Sequence, residues 1–108
     1  MHAFDVLGDP VRRRILELLS TEDMPSGAIV EVMSSEFGIS QPGVSQHLKV
    51  LRDNGFANVT IDGARRVYAL HTSGLEEIDK WLAPFRNFWT PKFEALETEV
   101  ARGKRKQR

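Results

Sequence analysis

Five side chains between positions 41 and 52 carry the most specific chemistry in this sequence. Gln41, Ser45, Gln46, Lys49 and Arg52 offer amide, hydroxyl, ammonium and guanidinium groups, with Pro42 and Gly43 among them. If the stretch is helical, Val44, Leu48 and Leu51 fall at core spacing and the polar set points the other way. A glutamine amide holds donor and acceptor side by side, which matches an adenine edge, and a serine hydroxyl takes either role. A helix whose first two turns expose small residues and amides, in place of Glu and Lys, is built for close approach. The chemistry this implies is hydrogen bonding to the edges of base pairs. Lys49 and Arg52, further along, suit phosphate better than bases.

Such a helix must be held at both ends. Ser40 caps its start, Pro42 is tolerated in the first turn, and Asn54-Gly55 supplies a left-handed stop. Before it, Ser26 is expected to cap a helix running to about Phe37, with Ile29, Val32, Met33 and Phe37 inward and Gly38 at its end. Only Gly38-Ile39-Ser40 separates the two helices, the spacing of a helix-turn-helix unit whose second member reads. Further upstream, His2 to Leu7 form a short first helix. Asp9 and Pro10 then start a second one, with Val11, Ile15, Leu18 and Leu19 at helical spacing. Arg12, Arg13 and Arg14 stand in its first turn, where cations oppose the helix dipole. Phosphate contact would explain them, and so would an internal ion pair, which is the reading preferred for at least one. Thr21 to Pro25 read as a polar break.

After Gly55 the period changes. FANVTI and RRVYAL are rich in β-branched and aromatic residues with Asp62-Gly63 between them, a hairpin signal whose loop length is uncertain by one. Arg65 and Arg66 are expected at its tip, where they would lie along a nucleic-acid backbone or enter a narrowed minor groove. Ser73 to Glu76 fit a capping box for the closing segment. There Leu75, Ile78, Leu82, Phe85, Trp89, Phe93, Leu96 and Val100 step by three or four, widened by Trp81 and Phe88. Pro84 and Pro91 predict a kink or a break into two helices. One small domain cannot cover so aromatic a face alone, and a second copy of the chain is the simplest cover.

Composition sets the outer limits. The 108 residues, 41% apolar and 28% charged, suit one modest core. Net charge is zero, yet phosphate attraction acts over roughly 8 Å, so the distribution decides. Basic residues cluster at Arg12 to Arg14, at Arg65-Arg66 and in the tail from Arg102. Acids collect at Glu76, Glu77, Asp79, Glu94, Glu97 and Glu99. Without cysteine there are no disulfides, thiolate metal sites or thiol nucleophiles. The histidines, His2, His47 and His71, lack ligand spacing, so no metal and no cofactor are expected. Ser45, His47 and Asp53 supply the letters of a nucleophilic triad, but on one helix they do not converge, and no Gly-rich phosphate loop exists. No catalytic residue is assigned. No run is long enough to span a membrane and no signal peptide opens the chain, so a cytoplasmic protein is expected.

The strings LGDPVRRRILELL, GISQPGVSQHLKVLRDNGF and DGARRVYAL, taken together, resemble the ArsR/SmtB family of bacterial transcriptional repressors over roughly residues 4–70. The resemblance implies a mainly α fold with a small β-hairpin, a winged helix-turn-helix that dimerises through its terminal helices. In domain terms it implies one domain over about 1–101, with a reading helix at 41–54, a wing at 56–70 and a dimerisation segment at 73–101. Residues 102–108 would be a basic, disordered tail. It implies a homodimer on an imperfect palindrome in double-stranded DNA, often an autorepressor. Ser40, Gln41, Pro42, Gly43, Ser45, Gln46, His47, Lys49, Arg52, Arg65 and Arg66 would meet DNA, with His47 half-packed and bonding a phosphate. Phe4, Leu75, Ile78, Trp81, Leu82, Phe85, Phe88, Trp89 and Phe93 would form the dimer interface. The sequence departs from the family's metal sensors. The helix before the turn reads SGAIVEVMSSEF, without their cysteines, and no histidine accompanies Asp79. The inducer is unassigned. Two alternatives stay open: a protein-docking module using the aromatic segment, and a repressor released by a small apolar ligand.

Overall fold

A five-residue helix, α1 (Ala3–Leu7), opens the chain; the computed structural model describes residues 1–89. His2 precedes it, its ring accepting from the Phe4 amide at 3.3 Å while Asp5 accepts from the His2 amide at 3.0 Å. Helix α2 (Pro10–Leu19) starts as expected: Asp9 Oδ1 accepts from the amides of Val11 and Arg12 at 2.8 and 3.2 Å. Its buried positions are Val11, Ile15, Leu16 and Leu19, with Leu18 only partly buried.

The three arginines of α2 are all used internally. Arg12 donates to the carbonyls of Val6 and Asp5 at 2.8 and 2.9 Å, and Arg13 to that of Leu7 at 2.7 Å. These carbonyls belong to the negative end of α1, so the cost of cations at the start of α2 is offset there. Arg14 grips Glu36 through two bonds of 2.8 and 3.1 Å. Those bonds hold the Glu36 carboxyl below its usual range.

Strand β1 (Met24–Pro25) follows, where the sequence suggested only a polar break. Helix α3 (Ser26–Phe37) therefore begins at Ser26 itself, with Pro25 in the cap position and no side-chain cap. Ile29 and Met33 are buried, Val32 is intermediate, and Phe37 is exposed, contrary to expectation. Phe37 falls in the last turn of α3, where no other element among the described residues covers it. Gly38 turns left-handed to end the helix.

Helix α4 (Gln41–Asp53) buries Val44, Leu48 and Leu51. Gly55, at φ 78°, ends it in a conformation that a side chain resists. Strands β2 (Ala57–Asp62) and β3 (Arg65–Leu70) pair antiparallel, and the sheet order is β1-β3-β2. Since Asp62 pairs with Arg65, the turn is Gly63-Ala64, and both arginines lie within β3 and not in the turn. Pro25 tolerates its strand because β1 is an edge.

Helix α5 (Ser73–Leu82) begins at Ser73, one residue before the expected capping box allows. The Ser73 hydroxyl instead donates to the Gly55 carbonyl at 3.0 Å, and His71 Nδ1 lies 3.0 Å from it. Gly74 is buried against Phe56: a Cβ there would sit 2.5 Å from the ring. At Ala83 the helix gives way to a 3-10 helix (Ala83–Phe88), as Pro84 requires.

The chain divides into two compact units, Met1–Ile78 and Asp79–Arg108. The first has one core, in which Val6, Ile15, Ile29, Met33, Val44, Leu51 and Phe56 are fully buried. In the described part of the second, Arg86 pairs with Asp79, and Trp81 packs on Phe85 with ring centroids 4.7 Å apart. Among the described residues no helix is long and apolar enough to cross a membrane.

Candidate nucleic-acid interface

Polar residues at one helical spacing become a surface only if the opposite face is anchored. Val44, Leu48 and Leu51 provide that anchor, and Gln41, Pro42, Ser45, Gln46 and Lys49 are all exposed on α4. Ser40 sits at the helix start, its hydroxyl accepting from the Gly43 amide at 3.4 Å. Ser34 fixes the preceding turn by donating to the Ile39 carbonyl at 2.8 Å. The short connection and the support helix α3 thus set the direction in which the amides point.

Gln41, Ser45, Lys49 and Arg52 fall at successive turns and form one stripe. The stripe borders a groove of about 420 Å³ whose far wall is β3, contributing Arg66 and Tyr68. Gln46 and Leu48 also line it, and Ser26 closes it from the start of α3. The structure thus brings Gln41, Ser45, Gln46, Lys49, Arg52 and Arg66 to one concave surface. Ser26 and Tyr68 were missed by sequence reasoning. Only the return of β3 beside the start of α3, through the two-residue strand β1, puts them there.

Other expected residues lie apart from the groove. His47 is half-buried beside α2, where Arg12 Nη1 lies 3.4 Å from its Nδ1. Arg65 pairs with Asp62 at 3.2 Å on the opposite strand face from Arg66. Within the groove, Arg52 has Asp53 beside it at 3.7 Å.

Of the residues expected at a dimer interface, Leu75 and Ile78 are half-buried against the core. Leu82 is intermediate, while Phe4 and Trp89 are each 38% exposed, Phe85 41%, Trp81 54% and Phe88 74%. Phe93, the tail and the rest of the closing segment lie outside the described residues.

A helix-turn-helix domain model matches residues 7–60. The chain is 35% identical over 86 residues to the transcriptional repressor SdpR of Bacillus subtilis (strain 168), covering 80% of this chain and 91% of that protein. Among solved structures it is similar to an ArsR family transcriptional regulator, with a TM-score of 0.68 and 25% identity over 82% of this chain and 87% of that one. It is likewise similar to Rv0081 of M. tuberculosis, with a TM-score of 0.58 and 32% identity over 91% and 89% of the two chains.

Proposed function

The chain belongs to the ArsR/SmtB family of winged helix-turn-helix transcriptional repressors, and from that premise we propose that it acts as a homodimer on an imperfect palindrome of double-stranded DNA. It is a DNA-binding repressor and not an enzyme. The observation that carries the reading of its site is the split surface of α4, with three buried aliphatic residues on one side and an exposed Gln/Ser/Lys stripe on the other.

In this reading Gln41, Ser45 and Gln46 enter the major groove and hydrogen-bond base edges, with Gly43 and Pro42 allowing close approach. Ser40, His47, Lys49, Arg52, Arg65 and Arg66 contact the backbone and fix the register. The exposed aromatics Trp81, Phe85, Phe88 and Trp89, with Phe4, support a dimer seam formed by the terminal helices. Such a dimer would set two reading helices about 34 Å apart, one turn of DNA. The effector that releases it is unassigned, and the protein works in the cytoplasm with the DNA it binds.

The test begins with DNA upstream of the protein's own coding sequence, mapped by footprinting. Gln46→Ala should relax preference at one base position by about 1–3 kcal/mol. Protection of no discrete site, or an unchanged base preference in the variant, would remove the assignment of α4 as reader.

A further inference from the structure

Most arginines of the described residues are already engaged. Arg12 and Arg13 hold backbone carbonyls, and Arg14, Arg65 and Arg86 hold carboxylates. The side chains of Arg66 and Lys49 have no hydrogen bond or ion pair among the described residues, and that of Arg52 has only the 3.7 Å approach of Asp53. Lys49, Arg52 and Arg66 line the same groove, between α4 and β3, and no carboxylate lines it with them.

The strand register explains why two adjacent arginines part company. Successive side chains on a strand point to opposite faces. Arg66 shares its face with Tyr68, which is buried, and with its cross-strand neighbour Ile61. Arg65 faces the other way, opposite Asp62. The wing therefore presents Arg66 to the reading helix, while Arg65 pairs with Asp62 on the other face.

Three like charges along one groove repel each other, and a bound anion relieves that. Guanidinium and ammonium groups bind phosphate oxygens through charge-assisted hydrogen bonds, and Ser26 and Tyr68 line the same walls. Ile61, 68% exposed beside Arg66, offers apolar contact to a sugar. We propose that Lys49, Arg52 and Arg66 form one cradle for a single DNA backbone phosphate, clamped between the reading helix and the wing. Arg66 is then a positioning residue for α4 and does not enter the minor groove. This rests on the assignment of α4 as the reader.

The test is a double-mutant cycle read as salt dependence. Log affinity falls with log salt by about 0.9 for each phosphate neutralised. With a short random-sequence duplex, Lys49→Ala and Arg66→Ala should each weaken binding and flatten the slope. The double variant should lose no more slope than one phosphate accounts for, about 0.9. Arg66→Lys, which keeps the charge, should recover most of it. All these side chains are at the surface, so thermal unfolding should be unchanged. A nitrogen-15 spectrum should show the Arg66 Nε resonance shifting on addition of the duplex. Additive losses in the double variant, about 1.8 in slope, would mean separate phosphates and overturn the cradle. So would an Nε shift produced by inorganic phosphate and not by the duplex, which would mark a free-anion site. If the wild-type protein bound no duplex at all, the DNA assignment itself would fail; additive losses on a bound duplex would remove the cradle alone.

Discussion

Gly55 joins the end of the reading helix to the start of α5, and Gly55→Ala tests that joint. Its φ of 78° is left-handed, where a side chain costs about 1–2 kcal/mol. The new Cβ would also run into Ser73 Oγ. The hydroxyl must then rotate away, giving up its 3.0 Å bond to the Gly55 carbonyl and its 3.0 Å approach to His71 Nδ1. That loss is worth about 1 kcal/mol, so the substitution should destabilise by about 2–3 kcal/mol in total. Ser73→Ala alone removes the same hydroxyl bonds and should cost about 1 kcal/mol. The double variant should be no less stable than Gly55→Ala by itself, because those bonds can be lost only once. Urea denaturation reads this as a shift in midpoint at constant slope. A neutral Gly55→Ala, or a double variant whose loss equals the sum of the singles, would refute the reasoning.

Further outcomes follow from other contacts. Burial pushes the Asp9 carboxyl up, but the amides of Arg12 and Val11 and the charges of His47 and Arg12 together hold it below its usual value. Stabilisation from a depressed carboxyl is full above its unfolded pKa and is lost as pH falls through the folded one. Asp9→Asn keeps the cap and removes the titration, so the wild type's advantage should disappear in acid; denaturation at a series of pH values measures it. Phe56 is fully buried, and Phe56→Ala should cost about 3–5 kcal/mol, measured by thermal or chemical unfolding. Phe85→Ala with Trp89→Ala should convert a dimer to a monomer in sedimentation; a wild type that sediments as a monomer would contradict the proposed seam.

Helices α2 and α4 were legible because each carries its own punctuation. Asp9-Pro10, Ser40 and Gly55 act within a few residues of themselves, and the aliphatic spacing of α4 needs no distant partner to be read. Strand β1 was not legible, since two residues hold no periodicity and one of them is a proline. Missing it displaced the start of α3 by a residue and hid Ser26 from the groove. Ser73 misled for a related reason: its hydroxyl prefers a carbonyl 18 positions away to the local amide that a capping motif assumes. The residue types of the reading face were evident. The separation of Arg65 from Arg66 was not, because it depends on whether the turn holds two residues or three.

Helix α1 has only five residues, too few to persist alone. Its last carbonyls are held by guanidinium groups from the first turn of α2, and Arg12 also reaches His47 on α4. The Asp5 and Val6 amides, which bond the His2 carbonyl, should therefore exchange with solvent when that first turn opens, so that the two segments share one opening event. Deuterium uptake at the N-terminus becomes a remote clock for the reading helix: a contact that immobilises His47 slows it, although nothing bound to α4 needs to touch α1.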